Sequence, residues 1–141
     1  MFVREVMNKN VMTIKPDEIL RKAAGMMSNY HIGSLVVVEN EKIVGILTER
    51  NVLVAVADGK DPELTTVEEV MAKKVVTISP GKTIEEAIGL MTEHKIKKLP
   101  VMDGEKLVGI ITASDIIVVE PKLIEGIANL ISIKLPGYRG G

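Results

Sequence analysis

The hydrophobic pattern of the chain predicts the same order of elements twice. A short apolar segment that ends before a proline lies at 11–14 and again at 75–78. Apolar residues at helical spacing follow in each half, at Leu20, Ala23, Ala24 and Met27 and then at Ile84, Ala87, Ile88 and Met91. Next come two apolar segments in each half, 35–38 with 43–47 and 99–102 with 107–111. A second helix begins after Thr48 and after Thr112. Each half is therefore predicted as strand, helix, two strands and helix.

The two halves align with each other without a gap. Val6-Met7 aligns with Val70-Met71, and Val44-Gly45-Ile46 aligns with Val108-Gly109-Ile110 at the same offset. Such self-similarity indicates a tandem duplication. One copy is too small to bury a secure core, so we expect the copies to pack about a pseudo-twofold axis. The predicted fold class is α/β (α+β), with two βαββα units.

Local signals mark the ends of the predicted elements. The hairpin turns are predicted at 39–42 and 103–106, the second of which contains Asp-Gly. Asp17 is the expected cap of the first long helix, and Thr83 with Glu86 forms a capping box on its counterpart. A further capped turn is expected at 66–69, where Thr-x-x-Glu recurs.

We expect three segments, namely repeat 1 with its linker at 1–62, repeat 2 at 63–120, and a C-terminal segment at 121–141. After Pro121 the sequence predicts an amphipathic helix from Lys122 to Ile133. Residues 136–141, rich in glycine, are expected to be a flexible tail.

Composition excludes several classes of partner and site. Net charge is −1 without a clustered basic face, so the sequence predicts no nucleic-acid partner. No apolar run is long enough to span a bilayer, and the N-terminus lacks the run of a secretory signal. There is no cysteine, which excludes disulfides and thiolate metal ligands. A cytoplasmic protein without a membrane partner is expected.

The duplicated pattern resembles a known family. Val-x-Thr-Ile-x-Pro, a helix, an apolar strand pair and Gly-Ile-x-Thr-x-x-Asp/Asn resemble a CBS domain, and two in tandem resemble a CBS pair or Bateman module. The resemblance covers residues 4–118. It implies adenosine ligands in the clefts between the copies, commonly AMP, ADP, ATP or S-adenosylmethionine, and a homodimer.

Carried over position by position, the resemblance implies a first ligand site. Thr112 and Asp115 would meet the phosphate and the ribose, and Lys97 and Lys98 match positions that often hold a basic group. A carboxylate can accept from both ribose hydroxyls. The opposite wall would come from the first copy, at Thr13, Ile14, Ile32, Gly33 and Leu35.

A second site would mirror the first, but the sequence predicts weaker binding there. It would use residues of both copies, namely Thr48, Arg50, Asn51, Thr77, Ile78, Ile96 and Leu99. Asn51 replaces the acid, and its amide offers one acceptor oxygen. Gly33 and Ser34 replace the two lysines, although Arg50 could restore one charge.

Other interpretations of these motifs stay open. Thr112-x-x-Asp115 is also a capping box that stabilises a helix by roughly 1 kcal/mol. His31 and His94 do not align in the repeat and are expected at the surface rather than on a metal. Gly81-Lys82-Thr83 is not a phosphate loop, because Val76 stands where the motif requires glycine.

The leading functional prediction is a regulatory module that senses an adenosine nucleotide and requires no cofactor. One alternative is a ligand-free dimeric scaffold that regulates a separately encoded enzyme, transporter or transcription factor; another is an S-adenosylmethionine sensor. The sequence groups no nucleophile with a base and no metal set, so we do not expect an enzyme.

Overall fold

The computed structural model describes residues 1–123, 127, 128 and 130. The elements, in chain order, are α1 (Val3–Val6), β1 (Thr13–Ile14), α2 (Leu20–Tyr30), β2 (Ser34–Glu39), β3 (Lys42–Thr48), α3 (Glu49–Ala57), α4 (Val67–Val70), α5 (Ile84–His94), β4 (Lys98–Asp103), β5 (Lys106–Thr112) and α6 (Ala113–Val119). A 3-10 turn follows at Pro121–Leu123.

The chain forms two compact units. The first-repeat unit is Val11–Val75, and the second-repeat unit combines Met1–Asn10 with the chain from Val76 onward. The division expected after residue 62 follows the repeat in the sequence, whereas each compact unit includes the short helix that precedes the other repeat. Helix α4 thus belongs to the first-repeat unit, and α1 belongs to the second-repeat unit.

The first-repeat unit contains a three-stranded sheet in the order β1-β2-β3. Strand β1 runs parallel to β2, and β2 and β3 form an antiparallel hairpin. Its turn places Asn40 and Glu41 at positive φ (52° and 64°), as a tight hairpin turn requires. The core is built from aliphatic residues of the sheet and its helices, among them Leu20, Leu35 and Leu47.

The second-repeat unit repeats this plan with one difference. Its hairpin β4-β5 has the predicted turn, with Gly104 at φ +62°. The counterpart of β1 is reduced to one parallel bridge between Ile78 and Val101, so the sheet has two strands. The predicted βαββα unit is therefore complete in the first repeat and shortened by its first strand in the second.

A glycine in each hairpin receives the segment that follows the short helix of that unit. At Gly109 an added Cβ would lie 2.6 Å from Met7 Sδ and 3.1 Å from the Asn8 carbonyl oxygen. Asn8 and Ile110 exchange two backbone hydrogen bonds, of 2.8 and 3.0 Å. In the first-repeat unit, Gly45 meets Met71 and the Ala72 carbonyl in the same way. Glycine is required here because the segment lies directly on the strand.

One predicted cap is wrong. Asp17 does not cap α2; its N-cap residue is Ile19, without a side-chain hydrogen bond. The first amide groups of α2 are satisfied by the backbone instead, because Leu20 N–H donates to the Thr65 carbonyl (2.8 Å) and Arg21 N–H donates to the Pro62 carbonyl (3.1 Å). The capping box predicted at Thr83–Glu86 is confirmed, and so is the capped turn predicted at 66–69, where Thr66 N–H donates to Glu69 Oε2 over 2.7 Å.

The C-terminal helix predicted from Lys122 to Ile133 falls mainly outside the described residues. Within them, Ile127 and Ala128 are helical and buried. Ile127 belongs to the core of the second-repeat unit, and Leu130 packs against that core. The tail predicted at 136–141 lies outside the described residues.

Candidate functional site

The second-repeat unit brings four of the predicted site residues together. Lys98 pairs with Thr112 across the β4-β5 hairpin. Ala113 N–H, at the start of α6, donates to the Lys97 carbonyl over 2.9 Å. Asp115 lies in the first turn of that helix. The two lysines, the threonine and the acid therefore lie at one junction, where β5 ends and α6 begins.

Thr112 and Asp115 form a reciprocal capping box. Thr112 N–H donates to Asp115 Oδ2 (3.0 Å), and Asp115 N–H donates to Thr112 Oγ1 (3.1 Å). The capping interpretation of this motif is therefore correct. The box uses only one of the two carboxylate oxygens. Since Asp115 is half-buried rather than enclosed, capping and ligand binding are compatible at this residue: Oδ1 can still accept a hydrogen bond from a ligand.

The corresponding junction of the first-repeat unit has the same geometry with different chemistry. Thr48 N–H and Thr48 Oγ1–H both donate to Asn51 Oδ1, over 2.9 and 3.1 Å. Asn51 N–H donates back to Thr48 Oγ1 over 3.3 Å. The amide of Asn51 has one acceptor oxygen, and the cap occupies it. The remaining amide group is a donor, so Asn51 cannot reproduce what Asp115 offers to a sugar.

The remaining predicted residues divide between exposed and core positions. Thr13, Thr77, Arg50 and Lys97 are exposed; Ile32, Gly33 and Ile96 are half-buried. Leu35 and Leu99 are 0% exposed, and Ile14 and Ile78 are 6% and 4% exposed. Since the core takes up the side chains of Leu35 and Leu99, these two residues present little more than backbone to a ligand.

The residues predicted for site one come from both compact units. Thr13, Ile14, Ile32, Gly33 and Leu35 belong to the first-repeat unit, and Lys97, Lys98, Thr112 and Asp115 belong to the second-repeat unit. Within the first-repeat unit, Glu49 N–H donates to the Gly33 carbonyl over 3.1 Å. That bond ties the segment before β2 to the start of α3, just as Lys97 is tied to α6.

A cleft that the sequence analysis missed opens between α2 and α3 of the first-repeat unit. Its volume is about 250 Å³. Its lining residues are Ala24, Met27, Ser28, Ile32, Glu49 and Val52. Alignment of the two repeats shows which lining residues differ in size. Ala24 and Val52 align with the larger Ile88 and Ile116, whereas Glu49 aligns with the smaller Ala113. Two of the lining side chains, Ala24 and Val52, are thus smaller in the first repeat, and one, Glu49, is larger.

Two other classes of site receive no support from the described part of the chain. Among residues 1–123, 127, 128 and 130, no three histidine or acidic side chains gather in a way that could hold a metal ion. None of the helices described over the same residues is both long and apolar enough to cross a bilayer.

Comparison with known proteins identifies the family. The CBS-domain family profile matches residues 3–58 and 67–121. The chain belongs to the CBS-domain family. Both repeats described above are CBS domains, and the chain is a CBS pair, a ligand-binding regulatory module.

Three similar proteins show where CBS pairs of this kind occur. The CBS domain-containing protein YhcV of Bacillus subtilis is 36% identical over 117 residues, which cover 82% of this chain and 83% of YhcV. Inosine-5'-monophosphate dehydrogenase of Methanocaldococcus jannaschii is 41% identical over 115 residues, 80% of this chain but 22% of that enzyme. The CBS domain pair of protein MJ0100, solved with 5-methylthioadenosine and S-adenosyl-L-methionine, has a TM-score of 0.80 and 27% identity and covers 86% of this chain and 97% of that chain.

Proposed function

We propose that this CBS pair is a regulatory module that binds an adenosine nucleotide, with AMP, ADP or ATP as the preferred class, and that it is not an enzyme. The observation that carries the proposal is the junction at Thr112. There Asp115 caps a helix with one carboxylate oxygen and keeps the other as an acceptor for a ligand. Two lysines lie at the same junction, Lys98 at the start of β4 and Lys97 directly before it.

The chemistry of this junction matches the parts of a nucleotide. A carboxylate oxygen accepts from a ribose hydroxyl in a charge-assisted hydrogen bond, which is stronger than a neutral one. Lys97 and Lys98 supply positive charge for a phosphate. S-adenosylmethionine shares the ribose but carries a sulfonium cation in place of phosphate, so the lysines favour a nucleotide. S-adenosylmethionine remains the second candidate, because the MJ0100 pair was solved with it and with 5-methylthioadenosine.

The assignment of the adenine base belongs to the same proposal. It gives Thr13, Ile14, Ile32, Gly33 and Leu35 to the base side of site one. It also predicts that site two, with Asn51 in place of the acid, binds more weakly, because the cap occupies the only amide oxygen.

A regulatory module exerts its effect on another protein. We propose that the chain forms a homodimer and that occupancy changes the module's affinity for a separately encoded protein. Such a change requires two conformations of the module, and a ligand can shift the equilibrium between them only if it binds one more tightly than the other. A ligand-free scaffold stays the alternative; it predicts complex formation that is indifferent to nucleotides. Cytoplasmic localisation stays a prediction of the sequence.

Isothermal titration of the full chain with AMP, ADP, ATP and S-adenosylmethionine tests the proposal. Binding of at least one nucleotide, with tighter binding than S-adenosylmethionine, is the expected result. Tighter binding of S-adenosylmethionine would select the alternative ligand. Neither heat nor a shift in melting temperature with any of the four compounds would leave the scaffold as the better account.

A further inference from the structure

Two methionines occupy equivalent positions in the two units, each with its sulfur against a glycine of the hairpin. Met7 follows α1 and Met71 follows α4 at the same place in the aligned repeats. A Cβ built on Gly109 would lie 2.6 Å from Met7 Sδ, and Met71 Sδ lies against Gly45 in the same way. Both methionines are half-buried. Each side chain therefore packs closely against a strand while part of it stays open to solvent.

A thioether that solvent can reach is a target for hydrogen peroxide. The sulfur attacks one peroxide oxygen, the O–O bond breaks, and an S–O bond forms while the second oxygen leaves as water with both peroxide protons. Sulfur loses two electrons and the peroxide gains them. The sulfoxide is polar and chiral, and methionine sulfoxide reductases reverse it. Because the chain has no cysteine, methionine carries all of its sulfur chemistry.

At Met7 the sulfur lies beside the contact that holds α1 to β5. Asn8 and Ile110 exchange two backbone hydrogen bonds, of 2.8 and 3.0 Å, and Val3 of α1 belongs to the core of the second-repeat unit. An oxygen added to Met7 Sδ competes for space with the strand backbone, and burying its dipole without a partner costs free energy. The segment relieves both costs by leaving the strand, which breaks the two hydrogen bonds.

Loss of that contact reaches the proposed ligand site through β5. Ile110 lies two residues before Thr112, whose backbone N–H and Oγ1 close the capping box with Asp115. Thr112 also pairs with Lys98 across the hairpin. Displacement of this end of the strand therefore moves the groups proposed to bind the ribose and the phosphate.

We propose that Met7 and Met71 are peroxide-modification sites, and that the sulfoxide of Met7 converts the second-repeat unit to a form with lower nucleotide affinity. The sulfoxide of Met71 releases the segment after α4 from Gly45, where Ala72 and Ile46 exchange the corresponding hydrogen bonds. The effect on affinity rests on the proposed nucleotide site, whereas release of the two segments does not. Reduction of the sulfoxides restores the packed segments.

Peptide mapping by mass spectrometry after treatment with hydrogen peroxide tests the modification sites. Met7 and Met71 should be oxidised much faster than Met27 and Met91, which are 6% and 0% exposed. Amide hydrogen exchange of the oxidised chain should show loss of protection at Ile110 N–H, and methionine sulfoxide reductase should restore it. Oxidation of Met7 and Met71 no faster than that of Met27, or sulfoxides that leave Ile110 protected, would overturn the proposal.

Calorimetric titration before and after peroxide treatment tests the effect on affinity, with whichever of AMP, ADP and ATP binds the untreated chain most tightly. Oxidation should raise the dissociation constant by about 5-fold or more, which is the lower end of common coupling between sites. Met7→Leu removes the reactive sulfur with little change in volume and should make the affinity insensitive to peroxide. Met26→Leu, at another half-buried methionine, is the matched control and should stay as sensitive as the wild type.

The outcomes separate this inference from the proposed function. An equal loss of affinity in oxidised Met7→Leu and oxidised wild type would overturn the coupling between Met7 and the ligand site. The wild type treated with peroxide and then with the reductase gives the same comparison without a substitution, and failure to regain affinity would also count against the switch. Absence of nucleotide binding by the untreated chain would overturn the proposed function and the affinity effect, and hydrogen exchange at Ile110 would still decide whether the segment is released.

Discussion

Replacing the carboxylate of Asp115 with an amide tests its role in ligand binding separately from its role in helix capping. Asp115→Asn retains the shape of the side chain and one acceptor oxygen. This chain already shows that asparagine completes the same box, since Thr48 N–H donates to Asn51 Oδ1 over 2.9 Å and Asn51 N–H donates back over 3.3 Å. The variant should therefore fold and retain its cap. The acceptor that the cap leaves available in the wild type is lost.

The structure sets the size of the effect. In the wild type the cap takes Asp115 Oδ2, so Oδ1 is the acceptor left for a ribose hydroxyl. A hydrogen bond to a charged group contributes about 1.5–3 kcal/mol, which corresponds to about 10- to 150-fold in the dissociation constant. Asp115→Ala should lose the same affinity and, in addition, about 1 kcal/mol of stability through the missing cap.

Calorimetric titration with the tightest-binding nucleotide measures the affinity, and urea unfolding followed by circular dichroism measures the stability. The reciprocal variant Asn51→Asp supplies the matched experiment, because it adds an acceptor oxygen at the equivalent junction and should strengthen binding at site two. Unchanged affinity in Asp115→Asn, with the fold intact, would refute the reasoning that the second oxygen binds the sugar. A loss of stability as large in Asp115→Asn as in Asp115→Ala would refute the claim that the amide preserves the cap.

Three further predictions concern the fold. Gly109→Ala should destabilise the chain by about 1–3 kcal/mol, because the new Cβ would meet Met7 Sδ at 2.6 Å; urea unfolding measures this. Glu86→Gln should flatten the pH dependence of stability in acid. Hydrogen bonds from Thr83, chiefly from its backbone N–H, lower the pKa of Glu86, so the contribution is present above the unfolded carboxyl pKa and is lost as pH falls below about 4.3. Lys95→Gly should raise stability by up to about 1 kcal/mol, because Lys95 caps α5 in the left-handed region at φ 55°.

Controls for these three variants exist within the chain. Combining Gly109→Ala with Met7→Ala should recover part of the loss, and strict additivity of the two effects would contradict a clash with that side chain. Equal acid sensitivity of the Glu86→Gln variant and the wild type would contradict the capping explanation. For Lys95→Gly, a lower melting temperature than the wild type would show that the lost side chain contributes more than the relieved backbone.

The sequence alone predicts the local structures that depend on residues close together along the chain. The helical spacing of α2 and α5, the tight hairpin turns, the capping box at Thr83 and the capped turn at Thr66 all depend on residues a few positions apart. The duplication added long-range information, because two matching copies indicated one family and one plan for both halves. The candidate site residues on the β5–α6 junction were identified on the same basis.

Contacts between distant segments decided the rest. Asp17 is a residue type that commonly caps helices, but the carbonyls of Pro62 and Thr65 accept the hydrogen bonds of the first amides of α2. The sequence around α2 does not predict these contacts, because Pro62 and Thr65 are distant along the chain. Only the folded chain shows that α4 completes the first-repeat unit, or that a methionine seated on Gly109 makes glycine necessary there. The sequence by itself determined which side chains each junction would carry. Tertiary structure decided which of their atoms remain available, because a cap consumes one oxygen from Asp115 and Asn51 alike and only the carboxylate has a second.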